Sequence, residues 1–216
     1  MFKKVLLSLI AILVVASSAA YFRYYEREHL HFSPAEIKLK WSAASPDISK
    51  LQTGDLIFRH GRGAISNCLM EMNLSDKKYS HSGIIHIENG NVSVYHAIGG
   101  EENVSNKLQK DSLERFCNAS DIHSFGIYRL DLTPEQKEEE DSLAASYYNS
   151  GLEFDLDFYL ATDDKMYCTE FVYKIINKVT DIQNYLPLST FSGKTFIACD
   201  NLYLNEHSQL IYSYNY

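Results

Sequence analysis

An Asn-Gly pair at positions 89–90, set between two alternating runs, constrains this chain more than any other feature. A two-residue type I′ turn needs positive φ at both central positions, and Asn-Gly supplies it at low steric cost. The segment SHSGIIHIENGNVSVYHA therefore reads as a β-hairpin with a fixed register. Counting outward from the turn, Glu88 faces Asn91, Ile87 faces Val92, Ile85 faces Val94, Gly83 faces His96 and His81 faces Ile98. Side chains alternate between the two faces of a strand. His81, Gly83, Ile85 and Ile87 thus share one face with Val92, Val94, His96 and Ile98. His81 and His96 are diagonal neighbours there, a spacing that long side chains bridge. Gly83 leaves room between them. His86 points to the other face with Ser93, so alternation works against a zinc site built from His81, His86 and His96.

A second constellation lies far downstream, in YCTEFVYKI. Cys168, Phe171, Val172, Ile175, Ile176 and Val179 follow the spacing of one helix face. Asp163 or Asp164 is the expected cap. Cys168 then falls in the first turn, where unpaired backbone N–H groups and the helix dipole favour a thiolate. An apolar stripe equally suits an ordinary core cysteine. Cys168 with His81 and His96 supplies the parts of a thiol hydrolase: a sulfur nucleophile, an imidazole base and a polar group that orients the base.

The remaining segments read as one mixed domain. Leu56 to Arg59 is a short buried strand, Ala64 to Asn73 a short helix, and Gly126 to Leu130 another strand. Thr133, Pro134 and Gln136 mark a helix start with a capping box, and Gly151 ends that helix. The acidic run Glu138 to Asp141 reads as its solvated first part, with Leu143, Tyr147 and Tyr148 facing inward. Asp155, Asp157, Asp163 and Asp164 lack the spacing and closing glutamate of a calcium loop. Residues 23–50 read as a polar approach segment. The tyrosine-rich tail after Thr180 is expected to cover a sheet edge or to help form the site.

Three motifs in order carry a resemblance: GDLIFR at 54–59, YSHSGI at 79–84 and FDLDFYLATDDKMYCTEFV at 154–172. Together they resemble the YiiX-like group, circularly permuted relatives of the NlpC-type cell-wall peptidases that are also related to the lecithin–retinol acyltransferase-like enzymes. The resemblance spans about Leu51 to Val179. Thr169 and Phe171 stand where the family often has Ser and Leu. It implies an α+β, permuted papain-like fold in which an antiparallel β-sheet packs against helices. The catalytic cysteine would sit at the N-terminus of a helix on the C-terminal side. It further implies Cys168 as nucleophile, His81 as general base and His96 as the third residue, where YiiX-like members often carry glutamate. Tyr167, Glu170, Asp55 and Gly83 would support the site. The implied reaction is cysteine hydrolysis of an amide, in a small or cell-wall-type peptide or an N-acyl amide, with no cofactor and no metal. A lipid ester hydrolase or acyltransferase on the same fold, or an inactive peptide-binding module, would use the same residues differently.

Lys3 and Lys4 precede an apolar run from Val5 to Ala16 and the small residues Ser17 to Ala20. This pattern over residues 1–22 reads as an export signal, cut before Tyr21 or retained as an N-terminal anchor. Either outcome places a domain at 51–216 in the periplasm or cell envelope, with membrane attachment in the anchored case. The 45% hydrophobic content suffices for a core, and the net charge of −8 argues against nucleic acid as partner. The expected partner is a small-molecule or peptide substrate. Four cysteines are present, and if Cys168 stays a thiol, Cys68, Cys117 and Cys199 can form at most one disulfide.

Overall fold

The computed structural model describes residues 17, 18, 21, 23, 25, 30–99, 103–182 and 185–216. The expected leader falls almost wholly outside these residues. Among them, no helix is long and apolar enough to cross a membrane.

Chain order is α1 (Pro34–Ala44), β1 (Leu56–Gly61), α2 (Ala64–Glu71), β2 (His81–Glu88), β3 (Asn91–His96), β4 (Gln109–Ser112), α3 (Leu113–Phe116) and β5 (Ile122–Leu130). There follow α4 (Pro134–Ser150), α5 (Cys168–Thr180), β6 (Ser189–Phe191), β7 (Lys194–Phe196), α6 (Cys199–Tyr203) and β8 (Ser208–Asn215). Six strands form one antiparallel sheet in the order β4-β3-β2-β1-β5-β8, and β6 and β7 form a separate hairpin. The β2–β3 turn has φ of 50° at Asn89 and 79° at Gly90, and the pairing runs from Glu88↔Asn91 to Ile84↔Tyr95 as counted from the sequence.

Strand alternation divides the interior in two. Leu56, Phe58, Ile84, Tyr95 and Tyr128 face α4, α5 and α6, where they meet Ala144, Phe171, Val172, Ile175, Ile176 and Leu202. Ile57, Ile85, Val94, Phe125 and Ile127 face the other way, onto Leu113, Phe116 and Trp41. The fully buried α5 stripe is the one the spacing predicts.

Two expectations are corrected, and a third is met. The polar approach segment contains α1, started by a full Ser33–Glu36 capping box with Pro34 at the first helical position. Its Trp41 packs on the second core layer, with its ring 6.5 Å from that of Phe125. The acidic run of α4 is not wholly solvated: Glu140 is fully buried and neither carboxyl oxygen has a hydrogen-bond partner. The tail does both things expected of it. Strand β8 pairs with β5 at the sheet edge, while β6, β7 and α6 wall the region around Cys168.

Candidate active site

The cysteine helix is fixed at its first turn by four contacts. Tyr167 is the N-cap in extended conformation, and the Glu170 Oε2 accepts its backbone N–H at 3.1 Å. The other Glu170 oxygen pairs with Lys174 Nζ at 2.8 Å. Thr169 Oγ1 donates to the Ile197 carbonyl at 2.7 Å, and Ile197 N–H donates back to the Tyr167 hydroxyl at 3.1 Å. Asp163 is not the cap. It reaches Lys174 Nζ at 2.6 Å, because the helix begins later than the aspartates allow. Tyr167 is therefore a clamp through its hydroxyl, which accepts a backbone N–H.

Cys168 is buried, and its thiol bears on Ser82, the residue after His81. The Ser82 hydroxyl is buried beside the thiol. Burial raises the Cys168 pKa; N–H groups of Ser82 and Thr169 and the Ser82 hydroxyl oppose this without reversing it. The resting group is thus a thiol. The thiolate expected from the helix start is not favoured overall, because desolvation outweighs the helix-start N–H groups.

His81 and His96 meet as counted: His81 Nε2 lies 2.9 Å from His96 Nδ1, with the rings edge-on at 84°. A Cβ on Gly83 would lie 2.5 Å from Val94 Cγ1, 2.9 Å from the Tyr95 carbonyl oxygen and 3.1 Å from His96 Cβ. Glycine is what lets the two histidines close up. Phe116 covers the pair, stacked on His81 at 5.7 Å and edge-on to His96 at 5.1 Å. Arg59, directly opposite His81 on β1, lies over the same Phe116 ring. Burial, then Arg59, then His96, holds the His81 pKa well below the ordinary imidazole range. His81 is a neutral base at rest.

The structure therefore brings His81 and His96 into contact and sets Cys168 beside the His81–Ser82 peptide. Among the described residues, no hydrogen bond joins the Cys168 thiol to the His81 ring. The His81 ring packs on Phe116 in the Ile85 layer, whereas Cys168 bears on Ser82 in the Ile84 layer, so the two are not in hydrogen-bond contact; Nε2 of His81 is engaged by His96, and Nδ1 is its other ring nitrogen. His86 faces away, toward Asp141 at 2.7 Å. Asp55 does not join the site. It is fully buried in a two-pronged ion pair with Arg129, at 2.7 and 2.8 Å, which clamps the start of β1 to β5. Sequence reading missed Ser82, although alternation places it on the Ile84 face. It also missed Arg59, Phe116 and Asp111, which meet the histidines only through strand pairing and α3.

A cavity of about 950 Å³ opens beside Cys168, lined by Met72, Leu74, Phe158, Leu160, Phe191 and Phe196 among others. Tyr167, Phe158 and Met72 also line the small recess that holds Cys168.

Residues 50–193 match the family described as permuted papain-like amidase enzyme, YaeF/YiiX, C92 family. The chain belongs to this family. An uncharacterized YiiX protein of Escherichia coli is 26% identical over 126 residues, 57% of this chain and 56% of that protein. The chain thus aligns with little more than half of that relative. The crystal structure of YiiX from Escherichia coli O157:H7, described as a metalloprotein, is similar with a TM-score of 0.62 at 18% identity, covering 77% of this chain and 99% of that one. This likeness shows the shared fold, a permuted papain-like sheet packed against helices. The C92 family is one of cysteine-type amidases or peptidases, which fits a cysteine at a helix start beside a histidine strand. Among the described residues, no group of three or more His, Cys, Asp or Glu side chains is arranged to hold a metal ion.

Proposed function

We propose that this chain is an exported cysteine amidase that cleaves N-acyl amides, with Cys168 as nucleophile, His81 as general base and His96 as its orienting partner. The observation that carries the substrate class is the largely apolar cavity beside Cys168, whose volume is at the upper end for small-molecule sites. Mostly aromatic and aliphatic walls, with Glu71, Asp157 and Lys194 among the lining, favour an acyl chain carrying a polar head over the charged stem of a cell-wall peptide. In this reading the His81 ring and the Cys168 thiol, which lie on opposite faces of β2 in the resting structure, meet in the substrate complex; His81 then takes the thiol proton as sulfur attacks the carbonyl and gives it to the leaving amine, and water releases the acyl group. The N–H groups of Ser82 and Thr169 that bear on the thiol would, in this reading, also serve the carbonyl oxygen as it gains charge. The same walls would accept the acyl part of a lipid ester, which is the second reading. Export rests on Lys3, Lys4 and the apolar run after them.

The test is a chain-length series of N-acyl amides and matched esters against wild type and Cys168→Ala. Rising kcat/KM with acyl length on amides, lost in Cys168→Ala, supports the reading. Faster turnover of esters moves the assignment to the second reading, and turnover of short charged peptides alone would refute the acyl-chain proposal. Protease added to spheroplasts should reach the domain, and full protection would refute export.

A further inference from the structure

We propose that Asp111 is a positioning residue that sets the hydrogen-bonding direction of the His81–His96 pair and supplies the negative charge balancing His81 when it takes a proton. This rests on the reading of His81 as the base. Strand pairing puts Val94 opposite Asp111 and His96 opposite Gln109, so Asp111 is the diagonal neighbour of His96. Its Oδ2 lies 3.3 Å from His96 Nε2, at the long end of the hydrogen-bond range, and 33% of its side chain is exposed.

Proton bookkeeping gives the pair a direction. The Asp111 carboxylate is held ionised below its usual range, chiefly by the His96 hydrogen bond. An ionised carboxylate only accepts. His96 must then carry its proton on Nε2, which leaves Nδ1 of a neutral ring as an acceptor. His81 Nε2 must therefore be the donor across the 2.9 Å contact. The lone pair of His81 falls on Nδ1, the one nitrogen not engaged by His96. A neutral His96 alone imposes no such direction, since two neutral imidazoles can share a proton either way.

Charge completes the argument. Arg59 from β1 faces His81 and opposes its protonation, and Arg115 from α3 faces Asp111. The thiols of Cys168 on α5 and Cys117 after α3 are buried and protonated. The carboxylate that balances an imidazolium is thus Asp111. Where relatives carry glutamate beside the base, this chain would carry histidine there and an acid one link further out.

Long-range 1H–15N correlation of the histidine rings tests the direction without any assay of turnover. Wild type should show the Nε2–H tautomer on both His81 and His96. Asp111→Ala should show a mixture, and Asp111→Glu should restore a single form. A single unchanged tautomer in Asp111→Ala overturns the proposal. Asp111 is partly exposed on an edge strand, so the variant should fold, and the dispersion of the same spectra checks this. In turnover, Asp111→Ala should lower kcat/KM by roughly 10- to 100-fold and move its acid limb to lower pH, since loss of the anion weakens proton binding at His81. An unmoved limb counts against Asp111. Absence of any Cys168-dependent turnover in wild type counts instead against the amidase reading, and the ring tautomers still decide the role of Asp111.

Discussion

Replacing Glu140 by glutamine should stabilise the protein at neutral pH and not at acid pH. Glu140 sits on α4 with no solvent exposure and no partner for either carboxyl oxygen. A Cβ built on Gly54 would lie 2.6 Å from its Oε2, so the carboxyl lies tight against backbone. Burial first, then Asp141 and Asp55, pushes its pKa well above 4.5, against a smaller pull from Lys137. The folded group therefore keeps its proton where the unfolded one has lost it. Folded protein binds more protons, so stability falls as pH rises from 4.5 toward the folded-state value. The slope is about 1.4 kcal/mol per pH unit. Each pH unit of that interval corresponds to roughly 3–6 °C in Tm for a chain of this size. Glutamine has nearly the same shape and no charge to gain. The difference between the two proteins should therefore open with that slope. His81 contributes with the opposite sign: its low folded pKa costs stability as pH falls below about 6.5. That term is common to both proteins and cancels. The assay is urea unfolding of both from pH 4 to 8. A flat difference curve would refute the argument, because it would mean that Glu140 ionises as a surface carboxylate does.

Four further outcomes follow from the site. Cys168→Ala should lower kcat/KM by several orders of magnitude at unchanged fold, read by turnover and circular dichroism. Gly83→Ala should cost about 1–3 kcal/mol by overpacking against Val94 and the Tyr95 carbonyl, seen as a lower urea midpoint, and should also disturb the 2.9 Å histidine contact. His96→Glu should keep more activity than His96→Ala and shift the pH–rate profile to higher pH, since a carboxylate beside His81 raises its pKa. Iodoacetamide should alkylate Cys168 more slowly than a free thiol at pH 7, because burial holds it protonated; faster labelling would contradict this.

What was legible in the sequence was whatever depends on near neighbours. Asn89-Gly90 determined the hairpin and hence the His81–His96 contact, because a two-residue turn leaves no freedom in register. Thr133, Pro134 and Gln136 gave the start of α4, and Gly151 its end. Helix α1 carries the same start signal in Ser33, Pro34 and Glu36, but no apolar periodicity follows it. Other features needed the third dimension. Glu140 belongs to a run of four acids, and only the approach of Gly54 and Asp55 buries one of them. Asp111 is separated from His96 by a connection whose length fixes no register. Aspartate is a common cap, but at α5 Glu170 reaches back to Tyr167 from within the helix, a contact only the fold reveals.

The burial that protonates Cys168 also explains why the site needs its surroundings. A thiol and a neutral imidazole in a dry recess cost little to hold together, whereas the ion pair they form on reaction would be costly there without compensation. In the proposed mechanism the compensation is distributed. N–H groups of Ser82 and Thr169 would receive the sulfur's charge, and the anion beyond His96 would balance the charge of His81. Arg59 works against the second of these, keeping the base neutral until the proton arrives. With the sheet between them, α5 governs the sulfur from one layer while β3, β4 and α3 govern the base from the other. The Ser82 hydroxyl, buried beside the thiol, belongs to the sulfur's layer with Ile84.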